Sequence, residues 1–179
     1  ERGFFDPSMV GKETQLSGGP YLDLGTSLGR LHAHPAKFFA HAARTHELFK
    51  TLFDDYDNPV RCIYENLSCL APNKRVMTAY EPDGRRYGPA IFRIYHVNEG
   101  HGPHFDSVSK RSKLFNYAVS RFEHQFAGVL CLQNSDEVGE CGEPFIYNCP
   151  STPDVQKDLA EIPFQEYVAQ RGIARVQVK

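Results

Sequence analysis

The residues best suited to chemistry run from Tyr95 to Asp106: Tyr95-His96-Val97-Asn98-Glu99-Gly100-His101-Gly102-Pro103-His104-Phe105-Asp106. The segment ends in His-x-Asp. On a strand, residues i and i+2 share a face, so the His104 imidazole and the Asp106 carboxylate are expected to point the same way. One imidazole and one carboxylate, with coordination positions left open opposite them, suit a non-heme Fe(II) that must also bind oxygen and a co-substrate. A facial set needs a second histidine, and none follows Asp106 at a credible distance in this chain. His124 comes only 18 residues after Asp106, too soon for a barrel to bring it round. The bland alternative is a solvent-exposed loop histidine beside a capping aspartate. A third arrangement, His101 with His104 and Asp106 as a self-contained ligand set, asks a tight Gly-Pro turn to aim three ligands at one point.

Elsewhere the histidines lack partners of matching spacing. His32, His34, His41 and His46 lie on or near the first helix, where His34 and His41 share a face and a surface role is expected. The five cysteines, Cys62, Cys69, Cys131, Cys141 and Cys149, form no Cys-x-x-Cys pair, which speaks against a structural zinc site. Their odd number suggests thiols in a reducing compartment, with a Cys141–Cys149 disulfide as the alternative. Asn66-Leu67-Ser68 matches a glycosylation acceptor but falls inside an expected helix.

Composition sets the class. The chain has 179 residues, 41% hydrophobic and 23% charged, enough for one domain with a sizeable core. Its net charge of -2 argues against a nucleic-acid groove, which demands a basic excess. There is no run of about 18 apolar residues of the kind that spans a bilayer. The chain begins at Glu1, and no signal peptide is visible. The expectation is a soluble protein, cytoplasmic or organellar, whose upstream segment has been removed.

The elements that must position these residues start with helices. Residues 1–30 look irregular. Pro35 opens a helix over 35–53 with Phe38, Ala42, Phe49 and Leu52 on one stripe. Asn58-Pro59 opens a second, with Val60, Ile63 and Leu67 facing one way, and Pro72 stops it. Strands are expected after that: 75–80, then 89–97 with Ile91, Arg93 and Tyr95 on one face, then 104–108, a buried strand at 125–133, 143–148 and 173–179. Pro82-Asp83-Gly84 reads as a turn, 109–122 as a loop with a helical turn, and 153–170 as a loop region with some helix. Helices followed by strands predict an α+β fold in a single domain over 1–179, helical over 1–72 and strand-built over 73–179.

Three ordered pieces between Phe92 and Tyr147 carry a family resemblance. The first is Arg93-Ile94-Tyr95 and Gly100 leading to His104-Phe105-Asp106. The second is Val129-Leu130-Cys131-Leu132-Gln133-Asn134. The third is the acidic stretch Glu137-Val138-Gly139-Glu140-Cys141-Gly142-Glu143-Pro144-Phe145. Together they resemble the Fe(II)- and 2-oxoglutarate-dependent oxygenases, nearest to the prolyl 4-hydroxylase-like group. The resemblance implies a double-stranded β-helix, a jelly-roll of the cupin kind, with the N-terminal helices packed on one sheet. It implies His104 and Asp106 as iron ligands, with 2-oxoglutarate and O2 as co-substrates. Tyr95, nine residues before His104, then falls near the tyrosine that hydrogen-bonds 2-oxoglutarate, and Arg93 on the same face either helps or forms a structural ion pair. The closing strands, the distal histidine and the arginine that pairs the 2-oxoglutarate carboxylate are expected beyond Lys179. Retention of Asp106 favours hydroxylation over halogenation, of a peptide or a small molecule. The alternative is a non-catalytic subunit of the same fold, with a protein partner covering its open sheet edges.

Overall fold

A computed structural model describes residues 21–31, 33–95, 102–108, 112–113, 115–122, 125–133 and 144–178. The architecture is mixed α+β with small antiparallel sheets. The chain divides into two compact units, Glu1–Glu99 with Asp106–Leu130, and Gly100–Phe105 with Cys131–Lys179.

The first unit opens with strand β1 (Tyr21–Gly25) and a single helical turn, α1 (Leu28–Leu31). Residues 21–31, expected to be irregular, are therefore ordered, because β1 finds its partner about seventy residues away. That partner is β2 (Ile91–Tyr95), antiparallel, with Asp23 opposite Arg93 and Leu24 opposite Phe92. Period-2 alternation then gives the two-stranded sheet distinct faces. Leu24 and Phe92 face the helices; Asp23, Arg93 and Tyr95 share the other side.

Helix α2 (Pro35–Thr51) begins where Pro35 predicts, since a proline at the first helical position lacks only an amide that has no partner there. It buries Phe38, Phe39, Ala42, Thr45, Leu48 and Phe49. Helix α3 (Pro59–Leu70) starts at Asn58, whose side-chain oxygen accepts from Val60 N at 2.9 Å and Arg61 N at 3.4 Å. Such a cap satisfies amides that the helix itself cannot. Phe92 packs its ring against Phe49 and Phe53 at centroid distances of 5.6 and 5.7 Å, fastening the sheet to α2. Tyr64 of α3 donates to the Pro89 carbonyl at 2.8 Å and fixes the approach to β2.

A second cluster joins Phe38 and Phe39 to Tyr87 and Tyr117. It is held by one buried carboxylate. Glu81 accepts from the Tyr87 hydroxyl and, at 2.9 Å, from the Ala118 amide at the start of the 3-10 turn Ala118–Arg121. Between them Pro82-Asp83-Gly84 turns as expected, Gly84 at φ 88° and Asp83 accepting from Arg85 N at 3.1 Å.

Three strand expectations are corrected. Residues 75–80 reduce to one bridge, Tyr80 to Arg86. Residues 104–107 are irregular rather than a strand, with 104–106 exposed. Residues 125–133 are irregular too, with Phe126 and Val129 about four-fifths exposed rather than buried (82% and 80%). At Gly128 this segment runs against α3, so closely that a Cβ would lie 2.6 Å from the Ile63 side chain. An apolar run becomes a strand only where another backbone completes its ladder, and here a helix occupies the neighbouring position.

The second unit holds β3 (Phe145–Tyr147), α4 (Pro153–Glu161), α5 (Phe164–Arg171) and β4 (Arg175–Gln177). β3 and β4 pair antiparallel, with Ile146 opposite Val176. Thr152 caps α4 through Val155 N at 3.3 Å. Gly172, left-handed at φ 60°, ends α5. The Tyr147 and Phe164 rings meet edge-on at 4.9 Å, holding the sheet to α5. Both strands fall within the expected stretches 143–148 and 173–179, and helices lie between them as expected.

Candidate functional site

Two groups of residues matter: the Asp23–Arg93–Tyr95 face of the first sheet, and the His104–Asp106 segment. On the sheet, cross-strand register sets Asp23 directly opposite Arg93. Arg93 Nε donates to Asp23 Oδ1 at 2.7 Å, and its terminal nitrogen to Oδ2 at 3.0 Å. This is the bidentate fork that a planar guanidinium makes with a carboxylate. The Asp23 side chain is 6% exposed and that of Arg93 29%. Asp23, followed by a further contribution from the Tyr95 hydroxyl, holds the Arg93 guanidinium even more firmly protonated than usual, against the opposing effect of its burial. Tyr95 is 40% exposed at the end of β2. Sequence spacing therefore placed Arg93 and Tyr95 on one face correctly, and of the two roles open to Arg93 the structure displays the ion pair. Asp23 went unnoticed because its segment looked irregular. The signal was there: Leu22-Asp23-Leu24 alternates, with a lone carboxylate between apolar residues.

His104 lies in irregular, exposed backbone after Gly102-Pro103. Its Nδ1 is 2.8 Å from the Gly102 carbonyl oxygen. A carbonyl can only accept, so Nδ1 carries the proton, and in the neutral ring the lone pair belongs to Nε2. That tautomer can bind a metal through Nε2, with the orienting bond on the other nitrogen. Asp106, two residues on, is exposed. One imidazole nitrogen and one carboxylate are a donor pair that fits Fe(II) chemically. The strand geometry expected to align them is not what carries them, since both sit on irregular backbone. Among the described residues no group of three or more His, Cys, Asp and Glu side chains comes together as a metal site. His32, His96, His101 and His124 lie outside the described residues, as do Cys141, Gly142 and Glu143.

The histidines of α2 have structural work. His41 Nδ1 is 2.8 Å from Thr26 Oγ1, which is itself 2.7 Å from Thr45 Oγ1, both threonines being buried. His46 Nε2 donates to the Tyr87 carbonyl at 2.8 Å. These two bind neighbouring elements together, where a surface role was expected. Asn66 is helical, and its amide donates to the Cys62 carbonyl at 2.8 Å. Cys62, Cys69 and Cys149 are free thiols.

Compared with family models, with curated proteins and with solved structures, the chain matches none. No helix among the described residues is long and apolar enough to cross a membrane.

Proposed function

We propose that this chain belongs to an Fe(II)- and 2-oxoglutarate-dependent dioxygenase that hydroxylates a peptide or a small molecule and releases succinate and CO2. The reading rests on His104-Phe105-Asp106, and the observation that carries it furthest is the Nδ1–H bond from His104 to the Gly102 carbonyl. In this reading His104 Nε2 and an Asp106 oxygen hold the iron. A bound iron supplies oxygen activation coupled to decarboxylation of the co-substrate. In this reading the Tyr95 hydroxyl would hydrogen-bond 2-oxoglutarate, with Arg93 on the same sheet face. In this reading the scaffold is a double-stranded β-helix; what supports it is the mixed α+β class with antiparallel strand pairing. Free thiols at Cys62, Cys69 and Cys149 suit a soluble protein of a reducing compartment.

The test is metal binding by the full-length protein. His104→Ala and Asp106→Ala are each expected to weaken Fe(II) affinity at least about tenfold with the fold unchanged by circular dichroism. Unchanged affinity in both variants refutes the ligand assignment.

A second reading, a non-catalytic interaction subunit of the same fold, is favoured by apolar side chains left in the open. Phe126 and Val129 in the first unit are 82% and 80% exposed, and Ile146 and Val176 in the second 62% and 66%. Apolar side chains left exposed are the kind that interaction surfaces cover. Under this reading a partner protein covers them, and the His104 variants change nothing measurable.

A further inference from the structure

Within the first unit, helix α2 and the Pro82-Asp83-Gly84 turn flank a cleft of about 230 Å³. Phe39, His46 and Glu47 line it from the helix, and Gly84, Arg85 and Arg86 from the turn. Backbone bonds fix the turn: Glu81 N donates to the Arg85 carbonyl at 2.8 Å, and Gly84 N to the Glu81 carbonyl at 2.9 Å. The charges around the cleft are mostly matched. Lys50 donates to both Glu47 oxygens at 2.7 Å. Arg85 holds one Asp83 oxygen through Nε and a terminal nitrogen, each at 2.7 Å, and its guanidinium carbon lies 4.3 Å from the centre of the Phe39 ring. Arg86 is exposed, and its side chain makes no hydrogen bond or ion pair among the described residues. It is the surplus cation.

His46 adds a second requirement. Its Nε2 donates to the Tyr87 carbonyl, so in the neutral ring Nδ1 carries a lone pair, and none of the described residues donates to it. A guanidinium without a partner calls for an anion, and Arg85 keeps N–H groups beyond those on Asp83. The His46 lone pair calls for a donor. At neutral pH sulfate and simple carboxylates offer acceptors alone, whereas hydrogen phosphate offers acceptor oxygens and a hydroxyl.

We propose that this cleft binds a hydrogen phosphate ion. Arg86, aided by the outer N–H groups of Arg85, donates to its oxygens, and its hydroxyl donates to His46 Nδ1. The site uses none of the residues assigned to iron or 2-oxoglutarate and goes beyond the oxygenase reading. The competing account is a solvated charged turn, in which Arg86 only faces water.

The experiment is an NMR titration of the nitrogen-15-labelled full chain with inorganic phosphate, sulfate, acetate and methyl phosphate at constant ionic strength. Phosphate is expected to shift the Gly84, Arg85 and Arg86 amides and the His46 ring saturably. Sulfate and acetate are expected to bind at least about tenfold more weakly, because they leave Nδ1 unpaired. Methyl phosphate, mostly without its proton at about pH 7, is expected to bind more weakly than inorganic phosphate. Arg86→Gln is expected to weaken phosphate at least about tenfold with the thermal midpoint unchanged. Arg86→Lys, which keeps the charge but not the fork, is expected to lose part of the affinity and stands in if Arg86→Gln does not fold. Absence of saturation with phosphate, or unchanged affinity in the Arg86 variants, overturns the site. Sulfate or methyl phosphate binding as tightly as inorganic phosphate overturns its assignment to hydrogen phosphate.

Discussion

Asp23 engages the Arg93 guanidinium through two hydrogen bonds within one small sheet. Removing the guanidinium leaves the Asp23 carboxylate nearly buried and without its main partner. Arg93→Leu is therefore expected to cost about 1–3 kcal/mol in denaturant unfolding. An Asp23→Leu/Arg93→Leu double variant is expected to recover part of that loss, because no unpaired charge remains. A double variant less stable than Arg93→Leu itself contradicts this account of the pair. What could be read beforehand at this scale was uneven. Arg93 and Tyr95 share a face because strands alternate, and that is a local property. The ion pair of Arg93 depends on a residue about seventy positions away, so no local pattern around Arg93 reveals it. For His104 the reverse holds: residue type and neighbours suggested a ligand, and the Gly102 carbonyl supplies the orienting bond, but the strand meant to align it with Asp106 is absent.

Helix starts were the clearest of the elements, since Pro35 and the Asn58-Pro59 cap act within one turn of where they stand. Replacing Asn58 by Ala leaves the Val60 amide without its cap, while Arg61 N keeps the Asn58 carbonyl, and thermal or urea unfolding is expected to show a loss of about 1 kcal/mol. Phe38→Ala, which opens a cavity among Phe39, Tyr87 and Tyr117, is expected to cost about 3–5 kcal/mol. The hairpin between Tyr80 and Arg86 has its own pH signature. Burial first, and the Glu81 carboxylate second, push the Tyr87 hydroxyl well above its ordinary range. A raised folded-state pKa means that this stabilisation is complete below the unfolded value of about 10 and is lost as pH climbs toward the folded one. Stability should thus fall above about pH 10, and Tyr87→Phe should flatten that fall. An equally steep alkaline loss in Tyr87→Phe would assign it to other groups. Strands were harder to read than helices because pairing, not pattern, completes them. The run Phe126 to Leu132 has strand composition, yet at Gly128 it meets Ile63 of α3 instead of another strand.

At the scale of the whole molecule, the mixed α+β class and the succession of helices before most strands were legible, because periodicity and turn residues repeat over long stretches. The pairing of β1 with β2, and the division into two compact units, depend on contacts that no window of sequence contains. Exposed apolar residues belong to this scale as well. Phe126→Ser, at a side chain 82% exposed, is expected to change unfolding free energy by no more than about 0.5 kcal/mol in urea unfolding. A large stability loss would instead place Phe126 in a core. The central claim is oxygenase chemistry at His104 and Asp106, and its most direct test is succinate release from 2-oxoglutarate by the full-length protein supplied with Fe(II) and O2. The account expects metal-dependent succinate from the wild type and none above background from His104→Ala. No succinate with any peptide or small molecule tried, together with no bound iron, would contradict it.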